Sequence, residues 1–166
     1  MLCVHRLREG FKAERKACIN RIRGLLAEFG LVFAQSPAAL ESVLADVLED
    51  AANEMNTLAR RVLQRAQGQW RELDAHIAWC DQRIAVHARD NPAVKKAATL
   101  MGVGPVTASA SVATVGDFNQ FRCGAQFGAW IGLVPRQHSS GGKNSLGGIT
   151  KRGDTYLRSL LIQGAK

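Results

Sequence analysis

The sequence predicts a mainly α-helical protein in two parts. A long helical hairpin or coiled-coil arm is expected over residues 1–91, followed by a small helical domain over 92–166 with a helix-hairpin-helix and a basic Ser/Gly loop. Three observations carry this. Apolar residues recur at spacings of three and four through much of the first ninety residues, the period of a helix with one buried face. Asp90, Asn91 and Pro92 then interrupt the pattern, and glycine becomes frequent after them. Finally, the net charge of +8 is unevenly divided: residues 1–94 hold 13 Lys and Arg against 12 Asp and Glu, whereas residues 95–166 hold 9 against 2.

Composition narrows the function classes. A hydrophobic fraction of 46% over 166 residues is that of a globular chain. The apolar runs fall short of the ~20 residues that cross a bilayer, and the N-terminus MLCVHRLREG is charged within a few residues. The expectation is a cytoplasmic, nucleoid-associated protein with no membrane partner. Cys3, Cys18, Cys80 and Cys123 have no C-x-x-C spacing and read as reduced thiols rather than metal ligands. The basic C-terminal part asks for a polyanion, and nucleic acid fits better than lipid because no amphipathic membrane anchor accompanies it.

In chain order, Leu7 to Phe29 reads as a helix with Leu7, Phe11, Cys18, Ile22, Leu25 and Phe29 on one face, ended by Gly30. LVFAQ is an extended connector. Ser36 and Pro37 supply an N-cap and a first-turn proline for a short helix to about Glu49. The longest helix is expected from about Asn53 to Arg89, with Ala59, Val62, Ala66, Trp70, Leu73, Ile77, Cys80, Ile84 and His87 as its seam, a rod of roughly 50 Å at ~1.5 Å per residue. Gly68 marks a bend, at about 1 kcal/mol relative to alanine. Trp79 sits at the seam edge, and His76 and His87 lack a metal-spaced partner. The acidic group Glu41, Asp46, Glu49, Asp50 and Glu54 reads as a solvated face.

After the break, a helix from Ala93 to about Met101, a tight turn over Gly102, Val103 and Gly104, and a second helix from Pro105 form the expected helix-hairpin-helix. Gly102, Val103, Gly104 and Thr107 are its candidate DNA-phosphate contacts, because a helix N-terminus offers unpaired N–H groups and about half a positive charge. A helix from about Arg122 to Ile131 with Phe127 and Trp130 as anchors follows, then the basic loop, then a last helix from Thr155 to Gln163. The stretch Gly132–Arg158 holds Ser139 and Ser140, five glycines between them and Asp154, and the cations Arg136, Lys143, Lys151, Arg152 and Arg158, with no carboxylate before Asp154. Such a segment suits phosphate, since a hydroxyl can attack phosphorus and guanidinium groups hold phosphate oxygens bidentately. Taken alone, such a Ser/Gly/Lys segment is usually a solvated surface loop.

The stretch LMGVGPVTASASVATVGDFNQFRCGAQFGAWIGLVPRQHSSGGKNSLGGITKRGDTYLRSLL, and more loosely REGFKAERKACINRIRGLLAEFG, resembles the insertion-sequence transposases of the "IS one-ten" family, especially the "IS eleven-eleven" subgroup. The resemblance implies a serine recombinase. Its nucleophile falls on Ser140, with Ser139 next in line. Arg136, Lys151 and Arg158 would stabilise the charge on phosphorus, His138 would carry a proton, and Lys143 and Arg152 would bind DNA. It also implies element-end and target DNA and a bridge RNA as partners. Self-association is expected through the helical arm. The family's RuvC-like acidic domain is expected to be missing from this chain and the C-terminal domain truncated. Mg2+ would enter only through that missing domain, so no cofactor and no metal ligand is assigned here. Two further readings stand beside the transposase: a non-catalytic helix-hairpin-helix DNA-binding module, and a coiled-coil dimerisation module.

Overall fold

A computed structural model describes residues 1–33, 36–50, 52–138, 140–143 and 145–165. It is mainly helical: α1 Leu2–Glu28, α2 Pro37–Glu49, α3 Thr57–Asp90, α4 Pro92–Ala97, α5 Pro105–Val115, a 3-10 turn Phe118–Gln120, α6 Gly124–Trp130 and α7 Thr155–Gly164. Two short strands, β1 Pro135–Gln137 and β2 Leu146–Ile149, pair antiparallel between α6 and α7. The chain divides into two compact units, Arg6–Asp81 and Met1–His5 together with Gln82–Lys166. The division at 91/92 expected from the Asn-Pro break thus falls inside the second unit.

In the first unit α1 and α3 run antiparallel. Arg8 Nε donates to Asp81 at 2.6 Å, Phe11 stacks on His76 at 4.9 Å, Arg15 pairs with Asp74 and Arg21 donates to Gln69 at 3.3 Å, so position rises on one helix as it falls on the other. The core joins Cys18, Ile19, Ile22 and Leu26 of α1, Leu40, Leu44 and Leu48 of α2, and Leu63, Trp70 and Leu73 of α3. The unit is therefore three-helical rather than a two-helix rod, because the leucines of α2, one per turn, fill the seam. Two stripe positions shift. Leu7 is 48% exposed, and Leu63 rather than Val62 enters the core, Val62 being 45% exposed. α3 runs unbroken through Gly68, and its start is delayed to Thr57 because Asn56 Oδ1 accepts from Ala59 N at 2.8 Å. Asn53 instead donates to the Val47 carbonyl, and Arg60 donates to the carbonyls of Leu48 and Asp50, closing the C-terminal end of α2.

The second unit is knit by short elements. α5 packs against both α4 and α7, with Ala108, Ser109 and Ala110 fully buried. α4 ends four residues earlier than expected, and Ala98–Met101 belong to the turn. Ala110, Val115, Ile131 and Leu157 form the core, with Phe121, Phe127 and Tyr156 against it. A buried polar chain crosses this unit. Asn91 Oδ1 caps α4 by accepting from Ala93 and Val94, which turns its amide nitrogen toward His87 Nε2 at 3.3 Å. A donor on that side makes Nε2 the acceptor, so His87 carries its proton on Nδ1 and donates to Ser109 Oγ at 2.8 Å. Ser109 Oγ also hydrogen-bonds His5 Nε2 at 2.9 Å, and His5 Nδ1 hydrogen-bonds Tyr156 OH at 3.1 Å.

Candidate functional site

The basic Ser/Gly segment folds as a β-hairpin, which the sequence reading as a loop missed. Pro135 pairs with Ile149 and Gln137 with Leu146, with an irregularity between them, and His138 N donates to Ser145 O at 2.9 Å. At the apex Ser140 bridges Lys143, and Lys143 N donates to Ser140 O at 3.1 Å. The two residues between them, Gly141 and Gly142, have φ of 57° and 79°. Positive φ at both central positions is the pattern of a type I′ turn, which matches the twist of paired strands and excludes most side chains. The Gly-Gly pair was thus the available signal, obscured by flanking strands with few β-branched residues.

The base of the hairpin is fixed by close backbone contact. Lys151 N donates to Gly132 O at 3.0 Å and Thr150 N to Val134 O at 2.9 Å. Gly132 has φ of 76°, and a Cβ on Gly153 would lie 2.3 Å from the Trp130 carbonyl oxygen and 2.4 Å from Ile131 backbone carbon. Arg158, only 6% exposed, donates to the carbonyls of Ile131 at 3.0 Å and Gly153 at 3.2 Å and to Thr155 Oγ1 at 3.2 Å. Asp154 accepts from Leu157 N at 2.8 Å and caps α7. Lys151 holds φ of 57°, the one non-glycine residue with positive φ among those described.

These contacts sort the candidate residues. Ser140 and Lys143 share the exposed apex, and Arg136 lies exposed on β1. Lys151 and Arg152 are exposed at the base, and Arg158 is buried there. Six residues separate Ser140 from Val134, so apex and base lie up to about 20 Å apart at ~3.3 Å per strand residue. Lys151 and Arg158 are not beside Ser140. The Arg158 guanidinium is engaged with the carbonyls and hydroxyl of the base. Ser139 lies outside the described residues.

At the α4–α5 turn, Gly102 has φ of 77° and meets the end of α7, where an added Cβ would lie 2.0 Å from the Gly164 carbonyl oxygen. Gly104 is the N-cap of α5, exposed and with open space about it, and no side chain caps the helix. Val103 is half-buried. Thr107, expected among the DNA contacts, is 8% exposed. Among the described residues no three His, Cys, Asp or Glu come close enough to hold a metal ion, and no helix is long and apolar enough to cross a membrane.

Residues 94–166, which hold the hairpin, the α4–α5 turn and α7, match the model of the transposase IS116/IS110/IS902 family. Over this segment the chain is similar to that family of transposases. Over 98% of its length the chain is 44% identical to a probable family 20 transposase of Pseudomonas aeruginosa, covering 48% of that protein. It is 38% identical over 97% of its length to the transposase for insertion sequence element IS1111A of Coxiella burnetii, covering 44% of it. It is 35% identical over its full length to the transposase for element IS1328 of Yersinia enterocolitica, covering 49%. The chain spans about half the length of these relatives.

Proposed function

We propose that this chain is the DNA-engaging part of a transposase and that its hairpin presents Ser140 as the nucleophile for strand cleavage and exchange. The observation that carries the reading is the exposed serine at the apex of a type I′ hairpin, with Lys143 across the turn. In the proposed step Ser140 Oγ attacks a DNA phosphodiester, forming a phosphorus–Oγ bond as the phosphorus–sugar oxygen bond breaks. The hydroxyl proton passes to a base, for which His138 is the nearest candidate in the chain, and the departing sugar oxygen takes up a proton. A second DNA hydroxyl then attacks the phosphoserine and restores the serine. Lys143 offsets charge at the reacting phosphate, while Arg136, Lys151 and Arg152 hold flanking phosphates. Gly104, with the first N–H groups of α5, gives a further phosphate contact.

The described carboxylates do not fit a Mg2+ site, so no step is assigned to a metal in this chain. A RuvC-like domain supplying one, a bridge RNA and a self-associated assembly belong to the same proposal. The seam expected to drive self-association through the arm is filled by α1 and α2 of the same chain, so any such contact would use another surface.

A non-catalytic DNA-binding module is the second reading, favoured by the distance of Lys151 and Arg158 from the apex. The deciding experiment mixes the chain with labelled element-end DNA and its RNA, with and without a RuvC-like domain and magnesium, and looks on a denaturing gel for a covalent adduct. An adduct lost in Ser140→Ala and kept in Ser139→Ala supports the nucleophile. Loss only in Ser139→Ala moves the role by one residue, and no adduct alongside salt-sensitive binding leaves the non-catalytic module.

A further inference from the structure

The first unit is electrically balanced, with eleven Lys and Arg against eleven Asp and Glu between Arg6 and Asp81, yet the balance is not local. Along one end of the α1/α3 pair arginines are matched with carboxylates: Arg8 with Asp81 and Arg15 with Asp74. Toward the other end Arg21 of α1 and Arg61 and Arg65 of α3 line one open groove of about 900 Å³. Glu72 is the only carboxylate in that lining. Arg21 donates to the neutral amide of Gln69, and neither Arg61 nor Arg65 makes a hydrogen bond or ion pair among the described residues. All three are exposed.

Arg61 and Arg65 are one turn apart, a like-charge spacing that weakens a helix by a few tenths of a kcal/mol in general and places their Cβ atoms about 6 Å from each other. No neighbouring acid relieves it. All three cations are arginine, whose planar fork grips phosphate oxygens in pairs where lysine offers a point charge. The groove offers no exposed aromatic face on which a base could stack, since Trp70 is 2% exposed. The occupant that this chemistry fits is therefore a sugar-phosphate backbone with its bases paired, gripped from two helices at once.

We infer that the groove bounded by Arg21, Arg61 and Arg65 is a second, sequence-independent binding site for the backbone of duplex DNA, separate from the hairpin unit. The inference deepens the DNA-binding reading and rests on it. Its function would be to hold DNA outside the reacting segment, adding affinity without base readout.

The test is fluorescence anisotropy of a labelled duplex titrated with the 166-residue chain at several salt concentrations. It compares wild type, Arg21→Gln/Arg61→Gln/Arg65→Gln and, for the hairpin, Lys143→Gln/Arg152→Gln. Wild type should bind with log affinity falling against log salt at a slope of roughly −4 to −5 if about five phosphates are engaged. The groove variant should lose about ten- to a hundredfold in affinity at 0.1 M salt, and its slope should flatten by roughly 2 to 3. Circular dichroism checks folding, and Arg21→Lys/Arg61→Lys/Arg65→Lys, which keeps charge but not the fork, should lose less. If wild type binds and the groove variant keeps its affinity and slope, the groove is a solvated face or is covered by another protein segment, and the inference falls. Loss in the groove variant alone would retain the groove and remove the hairpin as a DNA contact. Loss in the hairpin variant alone would do the reverse, and no binding by wild type would overturn both.

Discussion

Between Arg6 and Asp81 the fold closes over a row of leucine, isoleucine and tryptophan contributed by three helices, whereas the unit that carries the hairpin sets the small residues Ala108, Ser109 and Ala110 of α5 beside Val115, Ile131 and Leu157, with Phe121, Phe127 and Tyr156 packed around them. The first kind of core spreads its stabilisation over many contacts. The second concentrates it at positions where backbones touch and where a single hydroxyl serves two histidines. The proposed function rests on the second pattern: the apex serine is held by a Gly-Gly turn, and the hairpin stands on Gly132, Gly153 and Arg158.

The sharpest way to break this comparison is Gly153→Ala. A Cβ there would meet the Trp130 and Ile131 backbone at 2.3 to 2.4 Å, and backbone cannot swing aside as a side chain can. We expect a loss on the order of 4 kcal/mol or more, with early melting of the hairpin-bearing unit in a thermal scan and new proteolytic sites near 132–158. Leu44→Ala, in a fully buried site of the first unit, should cost about 3 kcal/mol from lost transfer energy and the cavity left behind. If the glycine variant proves milder than the leucine one, the base of the hairpin is more plastic than its close contacts imply.

Ser109→Ala comes next. It removes the hydroxyl between His87 Nδ1 and His5 Nε2 at almost no change in packing, leaving buried ring nitrogens without their partner. The expected loss is about 2 kcal/mol, measured by denaturant unfolding. The same chain of bonds gives the second unit a pH response. Burial first, and the Met1 α-ammonium second, hold His87 below the ordinary imidazole value of 6.5. Between that value and the lowered one the unfolded chain binds a proton that the folded chain refuses, so stability is full above about pH 6.5 and falls as the pH is lowered, by up to about 1.4 kcal/mol per unit. His5 and Tyr156 share the network, so the control is His87→Gln, which should flatten the response on this side. An unchanged pH profile in that variant would show that His87 does not govern it.

The helical part was legible because its signals are local and repeated. Periodicity placed α1 and α3, Ser36 and Pro37 placed the start of α2, and the Asn-Pro break placed the start of α4 through the cap that Asn91 supplies. What periodicity could not decide was which of two adjacent apolar residues turns inward, as at Val62 and Leu63, since both lie near the same face. Nor could it anticipate that α2 would complete the seam. The hairpin was hidden because its strands lack alternation and its stability comes from contacts far along the chain, Gly132 with Lys151 and Arg158 with Ile131. Arg158 shows the limit most clearly. A cation in a basic, glycine-rich stretch looks like a ligand contact until the carbonyls around it are seen.

Gly68→Ala gives the smallest expected effect and the opposite sign. The glycine lies inside an unbroken α3, with nothing within 4 Å of the position a Cβ would take, and its backbone is not in the left-handed region. Alanine there loses less backbone entropy on folding, so the variant should be stabilised by about 1 kcal/mol in thermal unfolding. Gly153 and Gly68 are chemically the same residue, yet one should unfold its unit when a methyl group is added and the other should strengthen it. Gly68 also borders the arginine groove, so the variant sharpens the binding argument too. If DNA is gripped by the side chains of Arg21, Arg61 and Arg65, a methyl group on the helix between them should leave affinity unchanged. A Gly68→Ala chain that is more stable but binds DNA more weakly would mean that the backbone itself approaches the helix surface, and that the groove is read more closely than long guanidinium side chains require.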